Sequence, residues 1–144
     1  MEERNFVNNI PKAWWVWPLV PIAAACGASI GATIAASLQY AFPLGGWLQL
    51  YAWPLIFWVV FGLLWCVIAA VVAPNMKLVT GVFMGTILCI IRFYHVLSAY
   101  LGWDKTGSVG ERLVILAGAF LGVLIGVVLI HREAKKDRTL SSVD

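Results

Sequence analysis

Charge is what this chain has least of. Asp, Glu, Lys and Arg make up 12% of its 144 residues, against 62% hydrophobic residues and a mean hydropathy of +0.89, where a soluble domain carries about 25% charge. Acids are scarcest, seven in all, and Glu111 is the only one that touches an apolar stretch, at its very start. That removes the paired carboxylates of general acid–base catalysis and the embedded carboxylate with which a small four-helix carrier exchanges protons for cations. Cysteine is nearly absent too. Cys26, Cys66 and Cys89 are an odd number with no CxxC, all inside apolar stretches, so neither a disulfide nor a zinc site is indicated and each reads as a small, reduced packing residue.

Histidine is rarer still. A lone imidazole in an apolar helix can ligate haem iron or a pigment's magnesium, but His95 and His131 fall near opposite surfaces and cannot serve one haem within the chain. A one-ligand pigment or a site shared between subunits is the alternative to a satisfied interior or interfacial histidine, which is the plainer reading. No cofactor and no metal is expected. No Ser/His/Asp set can be assembled, and the glycines between 102 and 110 lack the preceding strand that a phosphate-cradling turn requires. The chain is read as non-enzymatic, with no nucleic-acid partner.

What the chain has is length without charge. A hydrocarbon core of about 30 Å takes about 20 apolar residues of helix, and lipid offers nothing to an unpaired backbone group. Four stretches qualify, at about 18–41, 48–73, 78–101 and 111–130, followed by a basic tail at 131–144. They leave no room for a soluble domain, so the whole is one membrane domain. The links carry turn chemistry: Phe42-Pro43-Leu44-Gly45-Gly46, Ala73-Pro74-Asn75, and the segment from Gly102 to Gly107. After the last link, Ser108 three residues before Glu111 reads as a capping box. Links this short make consecutive helices antiparallel neighbours. The expected fold is all-α, an up-down bundle of four transmembrane helices.

Lys and Arg set the orientation. Arg4, Lys12, Lys77, Arg132, Lys135, Lys136 and Arg138 share one side, against Lys105 and Arg112 on the other, with Arg92 inside a span. Both termini are therefore expected in the cytoplasm of a bacterial-type inner membrane. The basic tail would meet anionic lipid headgroups at ~1 kcal/mol per residue near the surface, or dock a cytoplasmic partner. Ala23-Ala24-Ala25-Cys26 resembles a lipoprotein cleavage site, but the apolar run continues past Cys26 without pause, so a retained helix is expected. Trp14, Trp15 and Trp17 before Pro18 and Pro21 form one aromatic belt, and Trp47, Trp53 and Trp103 the opposite one. The echo between Val16-Trp17-Pro18-Leu19-Val20 and Ala52-Trp53-Pro54-Leu55-Ile56 needs no duplication, since a belt with proline at each helix start explains it.

Small residues carry the contacts between helices. Thirteen of the fifteen residues at 23–37 are Ala, Gly, Ser, Thr or Cys. In lipid, helices associate through van der Waals contact and interhelical hydrogen bonds, both of which need close backbones. Gly27 and Gly31 form one GxxxG, Gly81 and Gly85 a second, and Gly118, Gly122 and Gly126 a glycine zipper. Three such faces exceed the needs of four helices, so the fourth is expected to pack partly against another membrane chain, its own copy or a different one. Trp58, Phe61 and Trp65 at helical spacing would fill the space beside the small residues of the first helix, or face lipid.

Arg92 is the sharpest feature. A charge at the bilayer centre costs at least ~2.5 kcal/mol unless it snorkels or is paired. It shares the stripe of Gly81, Gly85, Cys89, His95 and Ala99 and is expected to point into the bundle. Its candidate roles are an ion pair with Glu111, contact with a lipid phosphate, or a substrate or subunit contact. Function follows as an expectation: an accessory or structural subunit of an oligomeric inner-membrane complex. The alternative is a small oligomeric transporter or channel with an anion path along Arg92, Ser29, Thr33 and Ser37, although such hydroxyls usually bond back to their own backbone.

Overall fold

The computed structural model describes residues 16–42, 45–73, 76–103 and 108–140. Among them there is no strand, and four helices follow one another: α1 (Leu19–Ala41), α2 (Trp47–Val72), α3 (Lys77–Tyr100) and α4 (Val109–Leu140). Each is long and apolar enough to cross a membrane. The sequence features at Arg4, Lys12, Trp14, Trp15, Pro43, Leu44, Pro74, Asn75, Asp104 and Lys105 lie outside the described residues, as do the side chains of Trp47 and Arg138.

The helix ends follow from local chemistry. Pro18 caps α1 and Pro21 sits in its first turn, where a backbone N–H has no intrahelical partner to lose. Gly46 takes φ +62° just before α2, a conformation that costs an L side chain and not glycine. At the end of α3, Gly102 adopts φ +73° while its N–H bonds Ala99 O at 3.1 Å and the Trp103 N–H bonds Ser98 O at 3.0 Å. That is the Schellman closure of a helix. Met76 precedes α3 at φ +56°, the one described non-glycine residue in the left-handed region. Pro54 lies inside α2 and deprives the Leu50 carbonyl of its helical donor, yet the helix runs on.

Chain direction alternates from helix to helix, but the four do not form a square. In a square up-down bundle α2 and α4 stand on a diagonal, whereas here they are the most closely packed pair. They run parallel. A Cβ added at Gly118 would lie 2.8 Å from Leu55 O, one at Gly122 would strike Val59 O, and one at Gly126 would lie 3.2 Å from Leu63 O. The approach is reciprocal, since a Cβ at Gly62 of α2 would lie 2.6 Å from Ala119 O. Absence of side chains lets backbone meet backbone, the contact on which helix association in lipid depends. All three α4 glycines therefore face α2 of the same chain.

α3 lies antiparallel across both partners. Gly81 admits the Ile130 side chain at 2.7 Å from its would-be Cβ, and Gly85 admits Val123 at 2.6 Å and Cys66 Sγ at 2.9 Å. α1 differs: it rests on α2 and scarcely meets α3 or α4. Ala24, Ala28 and Ala32 are 0% exposed at its contact, and Gly27 and Gly31 receive the tips of Ile68 and Leu64. The molecule is a three-helix core of α2, α3 and α4 with α1 laid along the outside of α2. At one end Val20, Ala24, Ala69 and Met84 tie α1, α2 and α3 together.

Two further features concern the α2 aromatics and the end of α4. Ile68 and Leu64 of α2 fill the space at the α1 glycines, while the α2 aromatics form a ladder, Trp58 and Phe61 at 5.1 Å and Phe61 and Trp65 at 5.8 Å, whose Trp65 end also packs on the cluster that holds Val20 and Ala24 of α1. Trp65 Nε1 donates to Met84 O of α3 at 3.0 Å, so the ladder also ties α2 to α3. The fourth helix does not stop near Ile130. It continues to Leu140, and its 32 residues measure about 48 Å, so much of the basic tail is helix, with Glu133 and Lys136 paired at 2.9 Å.

Candidate functional site

The inward face of α3 passes through Gly81, Gly85 and Leu88, all buried, and reaches Arg92, which is half-buried. A leucine-sized residue at position 92 would finish an apolar seam. The guanidinium instead sits over an α2 ring, its Cζ 3.6 Å from the centroid of Trp58. Phe57 meets that ring edge-on at 5.3 Å and Phe61 packs tilted beside it, which fixes the plane against which the cation rests. A cation on the negative face of an indole is stabilised by about 2 kcal/mol where water is excluded.

Hydrogen bonding does not complete the site. Arg92 Nε is buried and has no partner, and among the described residues no carboxylate lies within ion-pair distance of the guanidinium. Glu111 is turned to its own helix start: Ser108 N–H donates to Glu111 Oε2 at 3.4 Å and Glu111 N–H donates to Ser108 Oγ at 3.2 Å. The capping box read from the sequence is present and holds the carboxylate proposed for Arg92. The physical reason is local, since orphan N–H groups at a helix start lie within reach of residue 111 whatever α3 does.

His95 does not follow Arg92 inward. It is exposed, its ring 6.2 Å from that of Tyr94, and the inward line ends at buried Ser98. Its contribution is a carbonyl: Arg112 Nη1 of α4 donates to His95 O at 2.8 Å. Arg112 thus reaches the stretch of α3 that holds Arg92, a juxtaposition for which spacing along one chain segment gives no signal. His131 is exposed on α4 in the far half of the molecule. Among the described residues no group of three His, Cys, Asp or Glu side chains is placed to hold a metal.

Two of the three Ser and Thr hydroxyls of α1 bond back to their own helix. Thr33 Oγ1 donates to Ser29 O at 2.8 Å and Ser37 Oγ to Thr33 O at 2.9 Å, on the exposed side of α1. The two buried hydroxyls, Thr80 and Ser98, donate to Met76 O and His95 O. An open groove of about 500 Å³ runs between the start of α1 and α3, floored by Trp65 and Met84 and walled by Trp17, Met76 and Phe83. No protein-family model, no curated protein and no solved structure matches the chain.

Proposed function

We propose that this protein is a small, non-enzymatic subunit of a bacterial inner membrane, both termini in the cytoplasm, acting as an accessory or structural partner in an oligomeric or hetero-oligomeric complex. The observation that carries this reading is the make-up of the helix seams. They are closed by glycine, alanine and aromatic rings, and the hydroxyls nearest to them bond their own backbone. A carrier or channel needs a polar line that water can follow. The elements of the alternative anion path sit apart, Arg92 on α3 and the Ser29, Thr33 and Ser37 edge on α1, two helices that scarcely touch.

The place for a partner moves accordingly from α4 to α1. With its glycine face filled by α2, α4 has no bare seam of that kind left, whereas α1 has one firm neighbour and leaves Cys26, Ser29, Thr33 and Ser37 exposed in line. Small side chains on an uncovered helix suit close approach by another chain in lipid. Beyond the span, the helical continuation of α4 presents His131, Arg132, Lys135 and Lys136 to anionic headgroups.

The deciding measurement is the mass of the protein in native nanodiscs, with co-purifying chains identified. A second chain in fixed ratio, lost in Thr33→Trp, supports the subunit reading. A clean homo-oligomer favours the carrier reading, and a monomer without companions removes both.

A further inference from the structure

Arg92 lies eight residues before the end of α3, about 12 Å along the helix axis from it. Trp58 closes one face of its guanidinium at 3.6 Å, Nε is enclosed without a hydrogen bond, and the side chain as a whole remains partly open to the outside of the bundle. The carboxylate nearest in expectation, Glu111, is held by Ser108. Arg112 is committed elsewhere, donating from Nη1 to His95 O at 2.8 Å. The site therefore holds the positive charge and N–H donors of Arg92, to which the described residues supply no counter-anion.

A guanidinium whose face is covered by an aromatic ring keeps N–H donors for a two-pronged acceptor, and a pair of phosphate oxygens matches that fork. For an arginine above the bilayer midplane the lipid phosphates are the nearest abundant anions, and long side chains bend toward them. We infer that Arg92, backed by Trp58, forms a binding site for a phosphate oxyanion, supplied by a phospholipid headgroup or by free phosphate. The inference rests on the membrane placement proposed above and is independent of the subunit reading.

The test uses the full chain. Retention in membranes after an alkaline wash checks the placement by itself. Native mass spectrometry of delipidated protein then measures binding of phosphatidylglycerol and of diacylglycerol with the same acyl chains. The expected result is one tightly held phosphatidylglycerol, reduced at least tenfold in Arg92→Gln, partly kept in Arg92→Lys, and matched by no comparable diacylglycerol binding. Trp58→Leu, which keeps the charge and removes its backing plate, should weaken retention several-fold, with helix content by circular dichroism unchanged. Inorganic phosphate at millimolar concentration that displaces the lipid identifies the free ion as a ligand, and failure to displace it identifies the headgroup; either supports the site. Equal retention by Arg92→Gln and the parent protein overturns it. So does equal binding of diacylglycerol, or loss of a co-purifying chain in Arg92→Gln with lipid binding intact, which would assign the charge to a partner's carboxylate.

Discussion

Two glycines show how much the neighbour decides. A Cβ at Gly122 meets the backbone carbonyl of Val59 and, at 2.9 Å, the backbone nitrogen of Leu63, whereas a Cβ at Gly27 meets the tip of the Ile68 side chain. A helix backbone cannot yield without parting two helices, but an isoleucine δ-methyl can rotate away. Gly122→Ala should therefore cost about 2 kcal/mol or more through overpacking. Gly27→Ala should come out near neutral, because the helix propensity of Ala, about 1 kcal/mol better than Gly, offsets the local adjustment. Thermal melts of the two variants in one detergent give the comparison, and equal losses would contradict the α2–α4 contact. Met76 offers the opposite case. Its φ of +56° is a conformation costing a non-glycine residue about 1 kcal/mol, so Met76→Gly should raise the melting temperature. At this scale the sequence displayed GxxxG spacing on three helices alike and could not say which glycines face backbone and which face a flexible side chain.

Helix boundaries were the most legible feature of the elements. Proline, glycine and the Ser108/Glu111 pair act within a turn or two of where they stand, so their effect can be read before any tertiary contact exists. The start of α4 is the clearest instance, and Glu111→Ala should destabilise the protein by about 1 kcal/mol by releasing that cap. Hydrogen exchange should rise at residues 108–112 and leave the Gly122 region protected. A variant that instead disturbs exchange around Arg92 would restore the ion pair expected between the two residues. The far end of α4 was less legible. Apolar character ends near Ile130, and a reading based on hydropathy ends the span there, but Glu133 and Lys136 and good helix formers carry the helix to Leu140. On α2 the aromatic spacing was plain while its direction was not, since a ring ladder packs as well on one neighbour as on another until an acceptor such as Met84 O fixes the indole.

At the scale of the whole molecule, α1 is the loosely integrated part. It shares one long seam with α2 and little else, and it carries exposed Ile22, Ile30 and Ile34 beside its small residues. Large residues placed on that outer line, Ser29→Leu or Thr33→Trp, should leave the stability of the isolated protein within about 0.5 kcal/mol of the parent, as surface changes do, and still disrupt a native complex. A folding defect in detergent would show instead that α1 is fully enclosed within the single chain.

Composition, the lengths of the apolar stretches and the turn residues between them determined by themselves that the chain forms four helices fit to cross a membrane, because those properties act locally and bound what lipid will accept. Only the tertiary structure decided which helix became the hub, that α4 spends its glycines on α2, and that Arg92 rests on Trp58 while Glu111 caps its own helix. Those outcomes depend on the rotation of each helix about its axis. That rotation is set by the few positions where backbones approach to contact, and such positions compete across the whole bundle instead of announcing themselves along the chain.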